Sequence, residues 1–218
     1  MLFDSLANEE IVDSASALEF MKEATKLASS ADLEDLSERV SLKAECFQGH
    51  LSPSFVDKLD QGNFDRIVSL IFSIGRKSKR LIDANGFENL RTMIRELLHG
   101  DDPVEDRFSL FVNQIEGIEE KMRINFAGEL LHYSMPDRYW LWTNWIWDPD
   151  NNTGALPLVV QEEVDLLGET EGETYLRVGE VMSYVNRVGN ERGYSRVCLL
   201  YTSPSPRDLS TSRMPSSA

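Results

Sequence analysis

The sequence lacks the features that mark membrane proteins, β-sheet folds and the common nucleotide and hydrolase sites. No apolar run reaches the roughly 18 to 20 residues of a membrane span, and the first residues carry acidic side chains where a signal peptide needs positive charge. No segment alternates polar and apolar residues as a half-buried strand does. The chain has no glycine-rich phosphate loop, no Gly-x-Ser-x-Gly elbow and no cysteine-histidine nucleophile pair. We therefore predict a cytoplasmic protein without these catalytic mechanisms.

Basic residues are also scarce. The chain has 22 Lys and Arg against 37 Asp and Glu, a formal net charge of −15. Such a balance favours solubility and opposes non-specific binding to nucleic acid or anionic membranes, although a local basic patch can act against it. We predict an acidic protein that binds no membrane and whose partner is another protein or a small ligand, with nucleic acid as a less favoured alternative.

Residues 198–218 differ in composition from the rest of the chain, being rich in Ser, Pro, Thr and Arg and without helical or strand period. Their sequence, CLLYTSPSPRDLSTSRMPSSA, resembles the translation of a transposase-type sequencing-library adapter. The resemblance implies an artefact and a native chain that continues past Val197; a disordered natural tail is the alternative. Cys46 then remains as the single native cysteine, which excludes an intrachain disulfide in residues 1–197 and fits a reducing compartment.

Helix signals recur along residues 1–197. Capping side chains and helix-stopping glycines bound apolar stripes of helical period. They predict helices over residues 8–29, 32–49, 52–62, 63–86, 87–99, 102–115 and 173–188, and a further helix that ends near Pro136. Residues 156–160 are predicted as a strand or a packed loop. We expect one all-α domain of irregularly arranged, orthogonal helices over residues 1–197, truncated at its C-terminal end.

All four tryptophans lie within residues 126–149, FAGELLHYSMPDRYWLWTNWIWDP. Buried tryptophans dominate a core, whereas tryptophans along a groove stack bases or dock a partner. The spacing fits neither a strand nor one face of a helix, so both interpretations stay open. The candidate binding residues are Tyr133, Asp137, Arg138, Tyr139, Trp140, Trp142, Trp145 and Trp147.

Two Glu-x-x-His sequences have the spacing with which di-iron helical bundles bind their metals. Glu96 and His99 project almost opposite the apolar stripe of their helix, and Glu129 and His132 also leave theirs. A buried metal centre needs these groups inside the bundle. We therefore predict solvated side chains and no metal or other cofactor, with a di-iron carboxylate protein as an alternative.

One basic cluster, RKSKR, lies at residues 76–80. We interpret it as the polar end of the predicted helix 63–86, where cations meet the negative end of the helix dipole. The alternative is a phosphate contact through Arg76, Lys77, Lys79 and Arg80.

Residues 1–197 resemble a family of uncharacterised bacterial proteins, most clearly in NFAGELLHYSMPDRYWLWTNWIWDP and TGALPLV. That resemblance implies a bacterial source and no particular activity. LLHYSMPDRYWLW is also similar to helical modules of DNA-repair-like and restriction-associated prokaryotic proteins, but Thr143 and Asn144 stand where those modules commonly have Asp. We predict a non-catalytic binding or assembly module centred on residues 133–147. The alternative is an accessory nucleic-acid-binding module of a repair- or restriction-like system.

Overall fold

The computed structural model describes residues 12–27, 30–161 and 164–191. Within them the chain forms eight α-helices and, instead of a sheet, two isolated β-bridges, which confirms the all-α class. The helices are α1 (Ser14–Leu27), α2 (Ser30–Leu51), α3 (Gln61–Ser69), α4 (Ser78–Asn85), α5 (Phe87–His99), α6 (Val104–Gln114), α7 (Glu120–Ser134) and α8 (Glu171–Glu191). Three predictions lie outside the described residues: the helix start at Asn8, the adapter origin of residues 198–218 and the truncation after Val197.

Several helix boundaries lie close to the predicted ones, although the capping residues differ from those predicted. The predicted helix over residues 87–99 is confirmed as α5, and α6 and α8 lie within a few residues of their predicted bounds. At the start of α1, Asp13 Oδ1 accepts the Ala15 backbone N–H at 2.9 Å. Before α3, Asp60 Oδ1 accepts the Asn63 backbone N–H at 2.8 Å. Each carboxylate satisfies a donor that the first helical turn leaves open, as an N-cap does.

The predicted single helix over residues 63–86 is wrong. The chain forms α3 and α4 with an intervening turn at residues 70–77. Phe64, Ile67, Val68, Ile71 and Ile74 would lie on one face of a straight helix, so their spacing gives no signal for this break. The turn buries both Ile71 and Ile74. The basic cluster therefore leads into α4 instead of ending a helix, and the helix-dipole interpretation of it is also wrong.

Three smaller expectations differ from the structure. The helix predicted to stop at Gly49 continues to Leu51, whose side chain is buried. The helix predicted over residues 52–62 is reduced to a single-turn 3-10 helix, Val56–Lys58, and α3 already begins at Gln61. The segment predicted as a strand or loop is a second 3-10 helix, Leu156–Leu158, followed by the bridge residue Val160.

The central helix is α7. It packs against α2, α5 and α6, while α6 packs against α8 and α8 against α1. Every residue of α7 from Ile124 to Leu131 is buried. Beside it, the Phe108 ring stacks between Trp142, at 5.8 Å between centroids, and Tyr175, at 4.6 Å. Such contacts contribute beyond simple area burial, so this aromatic stack joins the tryptophan segment to α6 and α8.

In the described part of the chain, none of the helices is both long and apolar enough to cross a membrane.

Candidate functional site

The tryptophan-containing segment turns back after α7 and runs antiparallel along it. The Asn144 backbone N–H donates to Asn125 Oδ1 at 2.9 Å, near the middle of α7. One turn further along α7, Gly128 lets the Trp142 backbone approach closely. A Cβ atom on residue 128 would lie 2.2 Å from the Trp142 carbonyl oxygen. The Asn125 amide thus bonds the segment to the central helix, and Gly128 leaves the space that this close contact needs.

Most of the predicted binding residues are buried in this arrangement. The core contains Tyr133, Tyr139, Trp140, Trp142 and Trp147. Trp145 is the exception, with 46% of its surface exposed. Asp137 and Arg138 are exposed as well, but they lie in the turn directly after α7. Three of the tryptophans therefore pack in the core, and one faces outward.

Trp145 lies at the mouth of the α2–α7 groove, which we define as the cavity of about 820 Å³ bounded by α2, α3 with its following turn, α7 and the tryptophan segment. Four exposed apolar side chains line the opening of this groove. We call them the apolar rim: Leu42, Leu70, Phe72 and Trp145. The Phe72 and Trp145 rings meet edge to face, 6.3 Å apart. A volume of this size is typical of ligand and peptide clefts.

The floor of the groove holds a buried ion pair. Lys43 Nζ donates to Glu129 Oε2 and lies 4.1 Å from the centroid of the Tyr133 ring. Burial raises the pKa of Glu129 above its ordinary value, against the lowering effect of the Lys43 ammonium. The prediction that Glu129 is solvated is wrong, because α7 is packed on all sides and has no solvent-facing stripe.

Further polar groups on the floor of the groove form no hydrogen bond with the described residues. The Ser73 hydroxyl is buried without a hydrogen-bond partner. Among the described residues, no hydrogen bond is formed by the Thr143 hydroxyl or by Asn125 Nδ2, although both residues line the groove. Unpaired donors and acceptors in a cleft are available to a ligand, and for the buried Ser73 hydroxyl the lack of a partner has an energetic cost. The groove can therefore bind chemistry that is apolar at the rim and hydrogen-bonding at the floor.

The predicted metal-ligand set is dispersed. His99 Nε2 donates to the Leu51 carbonyl at 2.7 Å, and Glu96 forms its ion pair with Arg95. His132 Nδ1 donates to a backbone carbonyl at 2.9 Å, and burial lowers its pKa. Glu129 is paired with Lys43, as described above. No three His, Cys, Asp or Glu side chains in the described ranges are grouped so that they could hold a metal ion.

The basic cluster lies close in sequence to the groove, in the turn that carries Phe72. Arg76, Lys79 and Arg80 are exposed and Lys77 is partly buried. None of the four forms an ion pair with an acidic side chain of the described residues. Their charges are therefore free to act on a ligand or on solvent.

Sequence reasoning missed most residues of the groove, among them Leu42, Lys43, Phe72 and Asn125. A signal existed for Leu42, because it is apolar but lies off the apolar stripe of its helix. Such a residue faces solvent or a partner. Lys43 and Asn125 carry no comparable signal, since their roles depend on residues far away in sequence, 86 positions in the case of the Lys43–Glu129 pair.

Comparison of the chain with protein-family models, with curated proteins and with solved structures gives no match.

Proposed function

We propose that the protein is a cytoplasmic, non-catalytic binding module whose α2–α7 groove holds an apolar segment of a partner protein. One observation carries the proposal. Of the eight large hydrophobic side chains exposed among the described residues, four surround this single groove as the apolar rim. Scattered exposed apolar residues need no explanation, whereas a group of them around a cleft is typical of interaction sites.

The rim alone would bind weakly. Complete burial of a Leu, Phe or similar side chain contributes about 1.5–3 kcal/mol, and the rim residues are already about half buried, so together they supply roughly 4 kcal/mol. Association costs at least about 4 kcal/mol in lost freedom. A single inserted side chain is therefore insufficient. A segment that covers the whole rim and also reaches the floor is favoured.

The polar floor favours a polypeptide as that segment. A peptide backbone offers N–H and C=O groups at regular intervals between its side chains. Such groups can pair with the Ser73 and Thr143 hydroxyls and with Asn125 Nδ2, while apolar side chains cover Trp145 and Phe72. Aromatic residues at the centre of interfaces are those whose truncation most weakens binding.

Selection of peptides from a random library on the purified protein tests this proposal. Wild-type protein is compared with a groove variant, Phe72→Ser with Trp145→Ser, in which two exposed rings are removed. The matched control is Phe55→Ser with Leu110→Ser, which removes two apolar side chains of similar exposure, 53% and 49%, away from the groove.

We expect apolar peptides to be enriched on the wild type and on the control, and lost on the groove variant. Enrichment that survives in the groove variant would place binding elsewhere. Absence of any enrichment on the wild type would contradict a peptide-binding groove.

The basic cluster favours a second candidate, an accessory single-stranded nucleic-acid-binding module. Aromatic rings beside a basic track bind single strands, with about 1–3 kcal/mol per stacked base. Phe72 and Trp145 are exposed rings, and Arg76, Lys79 and Arg80 follow Phe72 in the chain. The net charge of −15 opposes this function.

Oligonucleotide binding at two salt concentrations separates the two candidates. Phosphate-dominated binding weakens steeply as salt rises, whereas binding through the apolar rim does not. For the nucleic-acid candidate, Arg76→Glu with Lys77→Glu must abolish binding and leave the fold intact. No oligonucleotide binding at low salt removes this candidate.

A further inference from the structure

Two charged side chains of the described residues are buried, and only one of them has a counter-ion. Glu129 is paired with Lys43. Arg107, on α6, is only 7% exposed and forms no ion pair with a carboxylate of the described residues. Burying a charge without a partner is costly, so buried charges are normally paired.

The guanidinium of Arg107 is held by neutral acceptors. Its Nε donates to the Asp102 carbonyl at 2.8 Å, its Nη1 to the Leu97 carbonyl, and its Nη2 to the Tyr139 hydroxyl at 3.1 Å. These bonds fix the orientation of the side chain and use three of its five N–H groups. Two N–H groups remain without a partner among the described residues, and no carboxylate of those residues forms an ion pair with the guanidinium.

Arg107 lines a second cavity, of about 470 Å³, which we call the Arg107 cavity. Its other polar lining groups are those of Gln48, Ser52, His99, Ser134 and Arg138. None of the lining residues is acidic, although the whole chain has 37 Asp and Glu. In such an acidic chain, a cavity with two arginines and no lining carboxylate is a local exception.

Two more features of the cavity favour an anion. The exposed guanidinium of Arg138 lies 5.1 Å from the Tyr139 ring and makes no ion pair with the described residues. The Ser134 hydroxyl is buried without a hydrogen-bond partner. Glu96 lies on the same side of Gly100 as Arg107, but its carboxylate forms its ion pair with Arg95. It forms no ion pair with Arg107.

We propose that the Arg107 cavity binds the oxyanion group, phosphate or carboxylate, of a small ligand, with Arg107 and Arg138 as the two cationic contacts. Arginine suits this chemistry because its planar fork matches both oxyanions. Arg107 is immobilised before binding, so little freedom is lost when it pairs. The ligand supplies the counter-charge that the protein lacks at this position. This site is separate from the α2–α7 groove and does not depend on the peptide proposal.

Thermal unfolding and isothermal titration with two simple probes test the proposal. The full chain is held in Tris chloride, and sodium phosphate or sodium acetate is added at constant ionic strength to about 10 mM, below the range where such salts stabilise proteins generally. At least one probe is expected to raise the unfolding midpoint to a plateau, as a ligand of the folded state does. The probe that does so identifies the oxyanion.

Arg138→Gln is the decisive variant. Arg187→Gln is its control, because Arg187 is likewise exposed and lies over a tyrosine ring, 4.9 Å from that of Tyr184. Loss of one charged hydrogen-bonding contact should weaken binding about tenfold or more in the first variant and leave it unchanged in the second. Arg107→Lys retains the charge but not the fork and should also weaken binding. If that variant fails to fold, Arg138→Gln decides alone.

Absence of a saturable shift with either probe would overturn the proposal and leave Arg107 a structural link between α5 and α6. Equal affinity of Arg138→Gln and Arg187→Gln would overturn the assignment to this cavity.

Discussion

The Lys43–Glu129 pair makes the stability of the protein depend on pH. Burial raises the pKa of Glu129, so the folded chain holds this proton more tightly than the unfolded chain. The resulting stabilisation is complete below the unfolded pKa, about 4.3, and is lost as pH rises through the higher folded pKa. Lys43 limits that loss, because its ammonium lowers the pKa of Glu129.

Lys43→Met removes this limit. We expect the pKa of Glu129 to rise further and the variant to be less stable than the wild type by about 3 kcal/mol at pH 8, since a buried charge loses its partner. Near pH 4 the deficit should be smaller, because Glu129 is then protonated. Urea unfolding at both pH values measures this, with Lys79→Met as an exposed control. A deficit that does not change with pH would mean that Lys43 acts by packing alone.

The tryptophans differ sharply in their expected contribution to folding. Trp142 is 1% exposed and stacks on Phe108, so Trp142→Ala should lower the free energy of unfolding by about 3–5 kcal/mol. Trp145→Ala should lower it by less than about 1 kcal/mol, as a partly exposed position does. Equilibrium urea unfolding compares the two. If both substitutions cost the same, Trp145 belongs to the core and is not available to a partner.

The sequence predicts the tryptophan region as important but not which ring is exposed. Exposure depends on the path of the segment along α7, which is set by Asn125 and Gly128, residues that carry no obvious binding signal. The apolar stripe of α7 predicts that Glu129 faces solvent. This prediction fails because other helices surround α7 and bury all of its faces. Contacts between residues far apart in sequence therefore could not be predicted from local patterns.

Among the helices, close backbone approach at glycine fixes the packing of the tryptophan segment on α7. Gly128→Ala would place a methyl group against the Trp142 carbonyl oxygen, which is backbone and cannot rotate away. We expect a loss of about 1–3 kcal/mol from overpacking. Gly49→Ala, inside α2 with no atom within 4 Å of the new Cβ, is the control and should stabilise by up to about 1 kcal/mol.

Thermal or urea unfolding of these two variants measures the difference. Equal stability of Gly128→Ala and the wild type would show that the segment can move away from α7 without cost, and that the groove wall is not fixed as described.

The sequence predicts where helices form better than it predicts where a helix is interrupted. Capping residues and apolar stripes predict α5, α6 and α8 almost at their observed bounds, because these signals are local. The break between α3 and α4 could not be predicted in the same way. Phe64, Ile67, Val68, Ile71 and Ile74 share one face of a straight helix, so their spacing by itself favours a continuous helix.

At the scale of the whole molecule, the two cavities contrast with the net charge of −15. Both cavities are lined by α2 and α7, with the α2–α7 groove along the middle of α2 and the Arg107 cavity at the C-terminal ends of the two helices. The general acidity opposes polyanions, whereas the rim and Arg107 provide local sites for an apolar segment and a small anion. Composition gives only the average charge of the chain, whereas the two proposed sites are places where the local chemistry differs from that average.

The indole N–H resonances of the four tryptophans report directly on the proposed groove. In ¹H–¹⁵N spectra, a peptide selected on the wild type should shift the Trp145 resonance as it is titrated. The resonances of the buried Trp142 and Trp147 should change little, and the Phe72→Ser variant should weaken the apparent affinity about tenfold, as expected for an aromatic interface residue. A peptide that binds with the Trp145 resonance unmoved would contradict the α2–α7 groove as the binding site.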